Sequence, residues 1–214
     1  HLTVAGESSL ENLVLEENAA LCLTLNADLT VSTLTMKAGS SLSVDTNGYT
    51  LTVTTVAGSE DDGMTITGSG TVKTGSFAID GDLSLTNVTL HGTSSSADIT
   101  AGGDITVTNA TVENADFFGF PEDATGEHTL TFAGSRNTVS SVTTTGAADG
   151  SSAIVVMEGL STVKFSASAY SCDYQVTYVD QENTALSYKE GWVQYYRVSA
   201  EGSTTQAVGS LAAD

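Results

Sequence analysis

Two adjoining stretches, GDLSLTNVTL from Gly81 and GDITVTNATV from Gly103, are one pattern written twice at an offset of 22 residues. Gly81, Asp82, Thr86, Asn87 and Thr89 recur as Gly103, Asp104, Thr108, Asn109 and Thr111. Leu83, Leu85 and Leu90 recur as Ile105, Val107 and Val112. Upstream, DLTVSTLTM at 28–36 offers Leu29, Val31, Leu34 and Met36 to what read as the same apolar slots, and Leu51 follows Leu29 by 22 again. A fixed period of this length marks a solenoid, in which each copy buries its apolar face only by stacking on its neighbours.

The pattern inside one copy selects the kind of solenoid. Leu83 and Leu85 are two apart, as alternation along a strand requires, and so are Val88 and Leu90. Between Leu85 and Val88 the step is three, so one residue turns a corner. Asn87 suits that corner, because asparagine tolerates the left-handed backbone and bonds locally with its side chain. Thr, Val and Ile dominate the remaining slots and favour strands over helices. The expectation is an all-β chain in which 28–36, 51–56, 82–90 and 104–112 each form two short strands. These stack in parallel at about 4.8 Å, with Asn87 laddered over Asn109 and with Leu83, Leu85, Val88 and Leu90 pointing inward beside Ile105, Val107 and Val112.

The form L-x-L-x-N-x-T-L at 83–90 resembles the coils of right-handed parallel β-helices of the pectin-lyase type. Polysaccharide lyases and many bacterial surface proteins share that architecture. The resemblance spans roughly residues 10–165 and implies a right-handed parallel β-helix; an architecture of this kind hosts many functions and fixes none.

Acidic residues number 26 against 6 basic ones, a formal charge of −20 over 214 residues. Nucleic acid is a poor partner for such a chain, because phosphate binding needs clustered Lys and Arg. Anionic membrane surfaces are disfavoured for the same reason, and no apolar run approaches the ~20 residues of a membrane span. A surface of Thr, Ser, Asp and Gly kept soluble by negative charge suits an extracellular or cell-surface protein. A chain that opens on His1 fits a trimmed start.

Two segments follow from composition: a parallel β-helix over 1–168 and an aromatic-rich C-terminal β segment or cap over 169–214. In the second, Tyr170, Tyr174, Tyr178, Tyr188, Trp192, Tyr195 and Tyr196 crowd together. YQVTYV and WVQYYRV there read as antiparallel strands joined by DQENTALSYKEG. At the other end, HLTV reads as a capping strand or one lent to a neighbour, since an open sheet edge recruits further strands. NADFFGFPEDATGEH at 114–128 reads as an excursion from the repeat. Its Phe117, Phe118 and Phe120 either cover the solenoid flank or contact a partner.

Candidate chemistry is sparse. Asp80, Asp82 and Asp104 are the metal candidates. Asp82 and Asp104 share one slot in successive coils, and paired carboxylates repel unless a proton or a cation such as calcium intervenes. The other reading makes them solvated turn residues, and the same choice applies to Glu60, Asp61 and Asp62. Lyases of the resembling fold combine acidic calcium ligands with a basic residue. Here Lys37, Lys73, Arg136, Lys164, Lys189 and Arg197 each stand apart from any acidic cluster, and neither His91 nor His128 has beside it in sequence the several clustered aspartates that hydrolases of that fold use. Trp192 and Tyr195 offer rings on which a sugar can stack, or else fill the cap. Cys22 and Cys172 lie too many coils apart for a bridge within one chain. They are either half-buried thiols or the two halves of a bridge between subunits.

The expectation is a non-catalytic extracellular structural or adhesin-type β-solenoid, a homo-oligomer or filament of a bacterial or archaeal surface. The alternative is a carbohydrate-binding module that holds an acidic polysaccharide through calcium, with a polysaccharide lyase behind it.

Overall fold

The computed structural model describes residues 1–94, 97–121, 127–134, 136–142, 152–158, 160–165, 173–179, 185–189, 195–197 and 206–207. All elements among them are strands. One ten-stranded sheet runs in the order β1 (Leu2–Val4), β3 (Ala20–Leu25), β5 (Ser41–Asp45), β7 (Gly63–Thr67), β9 (Leu83–Thr86), β12 (Ile105–Thr108), β15 (Glu127–Ala133), β17 (Ser152–Glu158), β19 (Asp173–Val179) and β20 (Ala185–Lys189). A twelve-stranded sheet holds β2 (Ser8–Leu15), β4 (Leu29–Met36), β6 (Thr50–Ala57), β8 (Thr71–Ile79), β10 (Thr89–Gly92), β13 (Thr111–Glu113), β16 (Arg136–Val142), β18 (Leu160–Phe165), β21 (Tyr195–Arg197) and β22 (Gln206–Ala207) along its path. Beside that path, β11 (Asp98–Ala101) and β14 (Phe117–Gly119) extend the second half of β8 over two further coils. From β1 to β18 the chain passes back and forth between the two sheets, with β11 and β14 following β10 and β13 on the same one, and the result is a parallel β-solenoid of about six turns.

Register turns the sequence period into columns of side chains. Leu21, Leu42, Met64, Leu83, Ile105 and Leu130 stack in one column, and Leu23, Val44, Ile66, Leu85, Val107 and Phe132 in the next. On the second sheet, Leu29, Leu51, Val72, Leu90, Val112 and Val139 align, and so do Leu34, Val56, Phe77, Ile99 and Phe118. All of these except the end residue Leu21 are buried, and each fully buried aliphatic side chain contributes roughly 1.5–3 kcal/mol. The parallel pairing of Leu83 with Ile105 and Leu85 with Val107 is the register that the 22-residue offset implies. Val88 points inward as expected, at 3% exposure.

The copy at 28–36 is placed differently from its sequence alignment. Leu29 and Val31 belong to the second sheet, above Leu51 and Val53, whereas Leu83 and Leu85 belong to the first. Nor do 28–36 and 51–56 break into two strands: β4 and β6 each run through. The cause lies in the corner residue. Asn87 and Asn109 take positive φ, 56° and 49°, and interrupt the ladder. Ser32 and Thr54 carry no such angle; Ser32 and Thr33 simply stay off the interior in succession, so the strand bends without ending. Gly68 and Gly134 hold the same corner as Asn87 in other coils, at φ 100° and 84°.

The ends also depart from expectation. HLTV is an ordinary coil strand, parallel to β3 with Leu2 beside Leu23. Leu2 on this strand and Leu10 on β2 are exposed at 42% and 37%, and among the described residues no further strand pairs with the outer side of β1 or β2. At the far end, β19 keeps the parallel order of the stack beside β17. Among the described residues the first antiparallel pairing in chain order is that of β19 with β20, so YQVTYV is partnered by ALSYK within the expected connector, not by WVQYYRV. Tyr195–Arg197 pairs antiparallel with β18 instead.

Candidate functional site

The outward side chains of the first sheet form a shallow groove of about 570 Å³. Its floor is the column Cys22, Ser43, Thr65, Ser84 and Thr106, one residue per coil, and beside it stand Ser41, Gly63, Asp82 and Asp104. Small hydroxyl side chains recur here because inward positions are apolar and the strand period is two. Cys22 is a free, exposed thiol in this column. Cys172 and Trp192 lie outside the described residues.

Asp82 and Asp104 do stand in register, as the repeat implies, and both are exposed. Their carboxylates bond along the solenoid. Asp82 Oδ1 accepts the Asp104 N–H at 2.8 Å, and Asp104 Oδ1 accepts the Thr129 N–H at 2.8 Å. Asp28 does the same for the Thr50 N–H, also at 2.8 Å. Each aspartate satisfies an N–H one position before the ladder between its own coil and the next begins. Asp80 is exposed, and its N–H is given to Asp62 Oδ1. Among the described residues, no three His, Cys, Asp or Glu side chains converge as a metal site would require.

Asp62 is the acid that sequence reasoning misplaced. Within SEDDG it reads as one of three solvated carboxylates, yet it is 2% exposed. Oδ2 accepts the Ser59 N–H at 3.0 Å, and Oδ1 accepts those of Asp80 and Gly81 at 2.8 and 2.9 Å. Burial pushes its carboxyl above the ordinary carboxylate range; the three backbone donors pull the other way, and the Asp80 charge adds to the rise. Gly58 and Gly81 make the pocket possible, since a Cβ at either would overlap Asp62 atoms. Those two glycines were the available signal, but only register brings them beside Asp62.

The remaining candidates divide between core and outer wall. Phe118 and Phe120 are buried at 0% and 1%, and Phe117 is half-exposed. The segment 117–119 is therefore no excursion: β14 is a wall of the next coil, with Phe118 stacked on Ile99. Its offset there is 19 and not 22 residues, which hid it from the repeat. Phe120 contacts the His128 ring with centroids 5.3 Å apart. On the outer face of the second sheet, His91 follows Lys73 in register, and its Nδ1 lies 3.0 Å from Glu113 Oε1 one coil on. Lys37 pairs with Glu16, whose carboxylate holds the ammonium proton more tightly. Tyr195 sits on β21 in register with Lys164.

No protein-family model, curated protein or solved structure matches this chain.

Proposed function

We propose that the chain is a non-catalytic structural or adhesin-type β-solenoid that works outside the cell, on a cell surface, and associates with further copies of itself. The observation that carries this reading is where the conspicuous carboxylates go. Asp62, Asp82 and Asp104 turn their oxygens to backbone N–H groups of adjoining turns and coils, so the acids of the repeat fasten the stack. The outer column of Ser and Thr and the charge of −20 suit a long-lived part in contact with water. Leu2 and Leu10 are exposed on β1 and β2, the strands that end the two sheets among the described residues, and favour association, because a strand edge with unpaired N–H and C=O groups adds strands. Head-to-tail contact of that edge with the aromatic C-terminal segment, which holds Trp192 and Tyr195, propagates as a filament when the rotation does not close. In an oxidising compartment Cys22 of one copy then bridges Cys172 of the next.

Light scattering and non-reducing gels test this on the full chain. Association should rise with concentration and weaken in Leu10→Asp with the β spectrum unchanged. A monomer with two free thiols at all concentrations would remove both the filament and the bridge.

A second reading is supported by the groove: Asp82 and Asp104 on its rim offer calcium-assisted contact to an acidic polysaccharide. Glycan-array binding that vanishes with chelator would favour it over the structural role.

A further inference from the structure

Two corners of the solenoid carry a second pattern. Asn87-Val88-Thr89 and Asn109-Ala110-Thr111 each read asparagine, a residue other than proline, then threonine. This is the acceptor pattern for N-linked glycosylation. We propose that Asn87 is a glycan acceptor, decorating the corner between the two sheets; the proposal rests on the extracellular reading above.

The corner presents Asn87 as an acceptor must stand. Its backbone is fixed at φ 56°, with the N–H given to the Thr108 carbonyl at 2.9 Å. Its side chain is exposed and makes no hydrogen bond to another described residue. The left-handed backbone alone does not demand asparagine, because Gly68 and Gly134 meet it in other coils. Thr89 supplies the hydroxyl two positions on, at the first residue of β10.

Asn109 has the same pattern but a different setting. A Cβ on Gly134, one coil further on, would stand 2.6 Å from Asn109 Oδ1 and 2.9 Å from its Nδ2. Asn109 is exposed as well, but its amide lies against Gly134 of the next coil, so a sugar on its nitrogen would be crowded by that coil. Coils spaced at about 4.8 Å also leave no space for glycans on both.

The chemistry is a group transfer from a lipid-pyrophosphate-linked oligosaccharide. Asn87 Nδ2 forms a bond to the anomeric carbon as the bond from that carbon to the pyrophosphate oxygen breaks. The lipid pyrophosphate leaves with the electron pair, and the amide proton passes to a base of the transferase. The product is a neutral N-glycosyl amide.

The test is expression of the full chain behind a secretion signal in cells that glycosylate asparagine. Amidase release of glycans in heavy-oxygen water, followed by peptide mass spectrometry, then marks each occupied asparagine. The expected result is a label at Asn87 and little at Asn109. Thr89→Val should abolish the label while keeping Asn87, and Thr111→Val should leave it. Unlabelled Asn87 in secreted, folded wild-type protein, or a label confined to Asn109, overturns the proposal. Whether the protein leaves its own source cells is scored separately by fractionation, so failure of the extracellular reading is told apart from failure of the acceptor.

Discussion

Asn87 stands at φ 56°, where the Cβ of most residues crowds the following carbonyl at about 1–2 kcal/mol. With the side chain exposed, the asparagine contributes through its backbone and not through its amide. Asn87→Ala should therefore lower stability in urea unfolding by about 1 kcal/mol, whereas Asn87→Gly should be near neutral. Equal losses in both would move the effect to the amide. Asp62 works through its side chain. Its carboxyl is raised in the fold, so above the ordinary carboxylate value the native state holds a proton that the unfolded chain has released. The stability linked to that proton is present at acid pH and is lost as pH rises through the folded value. Asp62→Asn cannot titrate, and its NH₂ faces an N–H in place of an acceptor, at about 1–3 kcal/mol. The gap between wild type and variant should be widest at acid pH and narrow towards neutrality. Thermal unfolding at a series of pH values would contradict this if the gap widened instead.

At the scale of the strand, a coil is held by its parallel ladder, its inward column and the aspartate ahead of it. Asp82 acts on the backbone N–H of Asp104, not on its side chain, and Asp104 acts on Thr129. Each carboxylate is exposed, so Asp82→Ala and Asp104→Ala should each cost about 1 kcal/mol. Neighbours on adjoining coils often couple by about 0.5–3 kcal/mol, but these two bonds share no side chain, so the double variant should stay within about 0.5 kcal/mol of additive. A large deviation in denaturant unfolding would mean that the two carboxylates act as one unit, as they would around a shared cation. The same experiment thus distinguishes fastening from metal binding at the scale where the two differ.

Across the whole molecule, the charge of −20 opposes compaction. Lys37 offsets it locally at Glu16. Added salt should screen this self-repulsion, whose reach is about 10 Å at 0.1 M ionic strength. The melting temperature of the full chain should therefore rise with sodium chloride over the sub-molar range. A fall would place the dominant electrostatics in attractive contacts instead.

The sequence by itself determined the all-β class, the stacking, the inward columns and the corner at Asn87. Each is a local pattern repeated at a fixed offset: period two along the strand, one left-handed residue, and 22 residues to the next copy. Tertiary structure alone decided what depends on neighbours of uneven spacing. Leu29 aligns with Leu83 as text but stacks with Leu51 and Leu90, because two similar strand-bend units occur on different faces of a coil. Phe118 and Phe120 read as a loop because an offset of 19 residues broke the period, and only register on Ile99 carried them into the core. Asp62 read as solvated among Glu60 and Asp61. Burial became legible once the coil brought Gly58 and the N–H groups of Asp80 and Gly81 around its carboxylate. A repeat specifies what each coil shares with the next; what is particular to one coil is set by the residues stacked against it.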